Sequence, residues 1–208
     1  MASINEGLLT QLQGAPMERI AQQLGLDPAQ AAQAVQSALP LLMGALGRNT
    51  QQPEGAQSLF GALQKDHTGL DLGSVLGSVL GGGGQGGSIL GHIFGQRREV
   101  ASEGLGQVTG LSSDKASILL KVLAPLVLAY LGKRMFDKRA DARADADAGA
   151  GDAMPAATPQ VLSETLGKEE KRITQQGGAT PGLLGAIFDR NRDGNVDFRD
   201  IVGGIAQR

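Results

Sequence analysis

A twelve-residue stretch near the C-terminus, residues 189–200, places oxygen-bearing side chains at the spacing of a calcium-binding loop. The residues that would supply ligands are Asp189, Asn191, Asp193, Asn195, Asp197 and Asp200. Asn195 would offer its backbone carbonyl, and Asp197 would bind directly or through a water. A hard cation takes roughly 6–8 oxygens, and alternate residues of a tightly coiled loop all point inward. Gly194 stands at the sharp turn, where a Cβ would cause strain. The stretch therefore predicts a Ca²⁺ site.

The residues around this loop extend the pattern into one that resembles an EF-hand. Apolar residues precede the loop, and Phe198, Ile201, Val202 and Ile205 follow it at helical spacing. Asp200 stands where EF-hands carry glutamate and is one methylene shorter. This substitution resembles dockerin-type loops and predicts weaker, more Mg²⁺-tolerant binding. The alternative is a solvated acidic turn without metal, in which the mutual repulsion of four aspartates would have to be screened.

Composition narrows the class of protein. The 208 residues permit one or two domains, and 41% hydrophobic content with only 3% aromatics predicts a core of Leu, Val, Ile and Ala. A net charge of −2 argues against nucleic acid or a membrane surface as partner. The absence of cysteine excludes disulfides and thiol catalysis. The N-terminus shows no signal-peptide pattern, and we find no run of about 18 apolar residues, so we expect a soluble cytoplasmic protein with no membrane span.

Helical periodicity runs through most of the chain and predicts an all-α, multihelical bundle. Asp27 followed by Pro28 is a typical cap and first position for a long helix. The predicted helices cover residues 3–13, 16–24, 28–47, 56–65, 88–94 and 99–109. Glycine-rich residues 69–87 interrupt this pattern. They are typical either of a flexible connector or of a surface through which copies of the chain associate.

An internal repeat connects the two halves of the bundle. Residues 26–48 align with residues 111–133 without a gap, so that Pro40 matches Pro125 and Gly47 matches Gly132. Each unit predicts a turn followed by a long helix with a proline kink. The second long helix is apolar nearly all round, which predicts that it is the central buried helix.

Shifts in composition divide the chain into three parts. Residues 1–137 form the helical domain, and residues 138–178 form an Ala/Asp-rich linker with a possible short amphipathic helix at 161–175. Within the linker, the composition of residues 139–160 predicts disorder. Residues 179–208 form a single EF-hand-like helix-loop-helix module.

Three segments together resemble the YidB-like family of bacterial domains of unknown function. They are ALPLLMGALG at 38–47, SILGHIFG at 88–95 and LAPLVLAYLG at 123–132. The resemblance covers about residues 1–135. It implies an all-helical fold and a cytoplasmic bacterial protein, and it implies no activity.

Two rival sites are weaker than the calcium loop. Residues 17–39 resemble a DNA-reading helix-turn-helix, but the second helix offers glutamines and no Lys or Arg before Arg48. A corner of the helical bundle is the better interpretation. His67 and His92 are the only histidines, and neither has partner ligands at the spacing of a zinc site.

These observations predict a non-enzymatic calcium-binding scaffold or a self-assembling bacterial protein. Ca²⁺ would order the C-terminal helix-loop-helix by bringing its aspartates together. The expected partner is a second copy of the chain or another protein, with no nucleic acid. The alternative is a DNA-associated regulator that uses the corner at 17–39.

Overall fold

The structure, a computed structural model, describes residues 4–66, 72–83, 85–145 and 157–175, and every regular element within those ranges is helical. The α-helices are α1 (Ile4–Leu12), α2 (Ala15–Leu24), α3 (Pro28–Asn49), α4 (Pro53–Asp66), α5 (Leu72–Ser78), α6 (Gly86–Phe94), α7 (Arg98–Thr109), α8 (Ser113–Asp145) and α9 (Pro159–Gln175). The prediction of an all-α, multihelical fold is confirmed for this part of the chain. The calcium module predicted at 179–208 lies outside the described residues.

Two equivalent corners join the helix pairs of the repeat. Gly25 ends α2 in the left-handed conformation, with φ of 60°, and Gly110 ends α7 in the same way, with φ of 73°. Glycine suits both positions because a Cβ is strained at positive φ. The Asp27 side chain then caps α3 by accepting a hydrogen bond from the Gln30 N–H at 2.8 Å. The repeat seen in the sequence is therefore a repeat of local structure.

The long helices α3 and α8 form the centre of the molecule. Every residue from Leu41 to Gly47 in α3 is buried, as is every residue from Val122 to Gly132 in α8. A helix that is apolar all round is stable when neighbours surround it, and α8 packs against α2 to α7. Both helices continue through their prolines.

One part of α8 also meets the length and composition of a membrane-spanning helix. This segment is Ser113–Phe136, and 78% of its most apolar window is buried inside the molecule. The core helix of a soluble protein satisfies the same criterion. Length and composition therefore do not decide the matter, and the expectation of no membrane span stays a prediction.

The glycine-rich segment is more ordered than its composition predicts. Val75 and Leu76 of α5 are buried and belong to the core. A π-helical turn, Val79–Gly83, follows α5, and α6 begins at Gly86. A flexible connector is wrong for these described stretches, because packing against α8 outweighs the low helix propensity of glycine.

The region beyond the repeat contains two helical stretches. The helix α8 runs on to Asp145, into the residues predicted as a linker. The short helix predicted at 161–175 is confirmed and begins slightly earlier, at Pro159. It packs against α3 and α4.

Candidate functional site

The docking of α9 on the helical body combines buried apolar side chains with an ion pair and hydrogen bonds. Leu162, Leu166 and Ile173 are buried on one side of α9. Their spacing of four and seven residues places them on one helical face. This face lies on a surface that we call the α9 groove. The groove is formed by Asn5 at the start of α1, by residues 47–51 at the end of α3 and in the turn after it, and by α4.

An ion pair holds the middle of α9 in the groove. Arg48 Nε lies 3.4 Å from Glu170 Oε1, and the two side chains are only 23% and 16% exposed. Gln51 Nε2 donates a hydrogen bond to Glu170 Oε2 at 3.1 Å. Burial lowers the pKa of Arg48, the Glu170 carboxylate raises it, and the charge of Arg97 lowers it further, so that the pKa lies below its ordinary value. Glu170 therefore offsets part of the cost of holding a guanidinium at this site.

Gly47 allows the two helices to approach closely. A Cβ at this position would lie 3.3 Å from the Cβ of Glu170 and 3.3 Å from the carbonyl oxygen of Leu166. Such distances are tighter than ordinary van der Waals contact, so any larger side chain would push α9 outward. Gly47, which matches Gly132 near the end of the repeat, therefore also provides the space that α9 needs to dock.

Two backbone groups of the body also bind side chains of α9. Ser163 Oγ donates to the carbonyl of Thr50 at 2.8 Å, near the start of α9. Farther along, Glu169 is 6% exposed and accepts a hydrogen bond from the N–H of Asn5 at 3.4 Å. This N–H belongs to the first turn of α1, where helix donors lack partners within the helix and negative charge is favoured. The interaction ties the N-terminal helix to the last described helix.

The predicted calcium ligands form no part of this site. Asp189, Asn191, Asp193, Asn195, Asp197 and Asp200 all lie outside the described residues. Within residues 4–66, 72–83, 85–145 and 157–175, no three His, Asp or Glu side chains are grouped closely enough to hold a metal ion. Calcium binding therefore stays a prediction from the sequence.

A cleft of about 400 Å³ separates α4 from α6. Its apolar lining includes Leu46, Leu59 and Leu128, and its polar lining includes Glu54 and His92. His92 is exposed, and its carbonyl accepts a hydrogen bond from Asn49 Nδ2 at 3.4 Å. His92 is therefore a surface residue at the edge of this cleft. His67 lies outside the described residues.

The corner that resembles a helix-turn-helix faces the other corner of the repeat. Gln30 and Gln33 line a cleft that they share with residues 109–112 and Lys115. Lys115 Nζ donates a hydrogen bond to the carbonyl of Gly25 at 3.3 Å, which links the two corners directly. The geometry is that of a corner in a helical bundle, and DNA binding stays a prediction.

The docking of α9 was missed by sequence reasoning. A signal was present, because Leu162, Leu166 and Ile173 share one face of a helix that begins after Thr158. The surrounding residues are strongly polar, so the pattern predicted an amphipathic helix without predicting the surface it covers. Its polar partners Asn5, Arg48 and Gln51 are distant in sequence.

A comparison with protein families adds one finding. The family model described as "Bacterial protein of unknown function (DUF937)" matches residues 6–134, which is more than half of the chain. The helix α9 and the predicted calcium loop lie outside the matched residues. No curated protein and no solved structure is significantly similar to the chain.

Proposed function

Because the chain belongs to the DUF937 family of bacterial proteins of unknown function, we propose its function from its own residues: it is a non-enzymatic calcium-binding scaffold. In this proposal Ca²⁺ orders the C-terminal helix-loop-helix. The helical domain, which we assign to the YidB-like group, supplies a fixed body in the cytoplasm. In a self-assembling form of the same proposal, copies of the chain associate with one another.

The observation that carries the proposal is the ligand pattern of residues 189–200. Four aspartates and two asparagines stand at the six ligand positions, and glycine stands at the turn. Without a cation the aspartates would repel one another, so binding and ordering of the loop are coupled.

The docking of α9 supports a scaffold rather than an isolated calcium module. The helix α9 is held on the body by the Arg48–Glu170 pair and by the bond from Ser163 to the carbonyl of Thr50. The chain then continues through Gly177 and Gly178 to the predicted loop. A calcium-ordered surface would therefore be attached to a defined point on a rigid helical body.

Isothermal titration calorimetry with Ca²⁺ tests this proposal. We expect saturable binding of about one ion per chain, with Mg²⁺ as a competitor because Asp200 is shorter than glutamate. An Asp189→Ala/Asp193→Ala variant should lose the binding. An Asp141→Ala/Asp145→Ala variant removes the same charge outside the loop and should retain it. Absence of binding heat, or equal loss of binding in both variants, would contradict a site at 189–200.

A further inference from the structure

The helix that occupies the α9 groove has its own N-terminal cap. Val161 N donates to Thr158 Oγ1 at 3.3 Å, so α9 carries its own N-terminal cap. The bonds described above run from α9 side chains to Asn5 in α1 and to residues 48–51 at the end of α3. Nothing in these contacts depends on α9 and the groove belonging to one chain.

We propose that the α9 groove also accepts α9 from a second copy of this protein, so that two chains exchange their α9 helices and form a dimer. The inference rests on the self-assembling form of the function proposed above, and it names the surface and the partner. It requires no metal, so it stands or fails separately from calcium binding.

A second copy presents an α9 identical to the helix that the groove holds within one chain. It presents the three buried apolar residues of α9 at the same spacing, and it presents the carboxylates at 169 and 170 that meet the Asn5 N–H and Arg48. Exchange between identical chains replaces two intramolecular dockings with two intermolecular ones and loses none of these contacts. The balance then depends on protein concentration relative to the effective concentration within one chain.

The Arg48–Glu170 pair allows exchange to be forced by charge. In Arg48→Glu the groove and its own α9 carry like charges, and the same holds for Glu170→Arg. When the two variants are mixed and exchange α9, both grooves contain opposite charges, one of them as the native pair. Like-charge juxtaposition in an interface is strongly unfavourable, so the mixture should favour the exchanged heterodimer.

Native mass spectrometry and light scattering on the full-length chains, in EDTA, provide the test. We expect the mixture to form a species of twice the 21.4 kDa chain mass, with the heterodimer at least about tenfold more abundant than either homodimer. The Arg48→Glu/Glu170→Arg double variant restores opposite charges within one chain and should show no preference for a partner. A mixture that remains two monomers would overturn the proposal.

Cysteine crosslinking gives a second test that keeps the native charge of the groove residue Arg48. The chain has no cysteine, and the Cβ position of Gly47 lies 3.3 Å from the Cβ of Glu170, near the roughly 3.5–4.5 Å of a disulfide. A Gly47→Cys/Glu170→Cys chain should close its own disulfide. A mixture of the two single variants should form a Gly47→Cys to Glu170→Cys disulfide between chains, which requires exchange. Closure in the double variant without a mixed disulfide would overturn the proposal.

Measurements on the wild-type protein distinguish exchange of α9 from self-assembly in general. If the wild type associates with increasing concentration and neither mixture pairs across the groove, the chain self-assembles through another surface and only the exchange is wrong. If the wild type and both mixtures stay monomeric, with and without Ca²⁺, self-assembly fails as well. Neither result affects the calorimetric test of calcium binding.

Discussion

The corner between α2 and α3 and the corner between α7 and α8 are built alike. Each has a left-handed glycine followed by leucine and then a capping side chain: Asp27 caps Gln30 at 2.8 Å, and Ser112 accepts from the N–H of Lys115 at 3.4 Å. The outer faces differ. The second unit exposes Val108 and Ile118 where the first has Gln23 and Gln33. The turns of the two units are alike, whereas the surfaces around them have diverged.

The two long helices also differ in what covers them. The end of α3 is covered by α9 at Gly47 and Arg48, whereas Lys133, the counterpart of Arg48, is exposed. Pro125 leaves the carbonyl of Lys121 without its usual helical donor, and the start of α6 packs against that carbonyl. A local turn can be repeated by repeating a few residues. Which helix packs over each long helix depends on elements elsewhere in the chain.

The largest expected effect concerns the contact between α6 and α8. A Cβ on Gly86 would collide with the carbonyl oxygen of Lys121, which is backbone and cannot move aside easily. We expect Gly86→Ala to lower the free energy of unfolding by about 2–4 kcal/mol. Urea denaturation followed by far-UV circular dichroism measures this change.

Gly87→Ala is the matched control, since a Cβ there meets nothing within 4 Å. It should stabilise the protein by about 0.4–1 kcal/mol, because alanine restricts the unfolded chain and favours helix. Equal effects of the two substitutions would show that α6 does not depend on close contact with α8.

A smaller loss of stability is expected for substitutions at the glycines that end α2 and α7. Gly25→Ala and Gly110→Ala each place a Cβ at positive φ, and each should cost about 1–2 kcal/mol. The two costs should agree within about 0.5 kcal/mol because the conformations match. Gly61→Ala, at an open helical position, serves as the control and should not destabilise. A cost in only one corner, measured by the same denaturation experiment, would show that the corners are not equivalent.

The residues of the corners explain why this part of the fold was predictable. Asp27-Pro28 marks the start of α3, and the gapless match of 26–48 with 111–133 identifies α8 as its counterpart. The first signal is local in sequence, and the second is a repeat of the same local pattern. The uniformly apolar surface around Leu126 likewise predicted the burial of α8.

Two regions could not be predicted in this way because their structure depends on tertiary contacts. Val75 and Leu76 form a helical turn only by packing against the core, while the surrounding glycines indicate a flexible chain. The docking of α9 involves contacts with Gly47 and Arg48, more than a hundred residues earlier, and periodicity within α9 does not identify them. The predicted calcium ligands lie outside the described residues and await the calorimetric test.

The smallest expected effects concern Arg48 and its counterpart Lys133. The pKa of Arg48 is lowered overall, first by burial and also by the nearby Arg97, so the charged form is held at a net cost despite the ion pair with Glu170. Arg48→Met removes both the cost and the pair, and should change stability by no more than about 0.5 kcal/mol. Lys133→Met, at an exposed position, should have an equally small effect.

Glu170→Ala should cost more, about 1 kcal/mol, because it leaves the guanidinium half-buried beside α9 without its carboxylate. The loss should shrink in high salt, since both side chains retain some exposure. Denaturant midpoints at low and high salt measure all three variants. A large loss in Arg48→Met, with little in Glu170→Ala, would mean that the packing of the arginine itself holds α9 and that its charge does not.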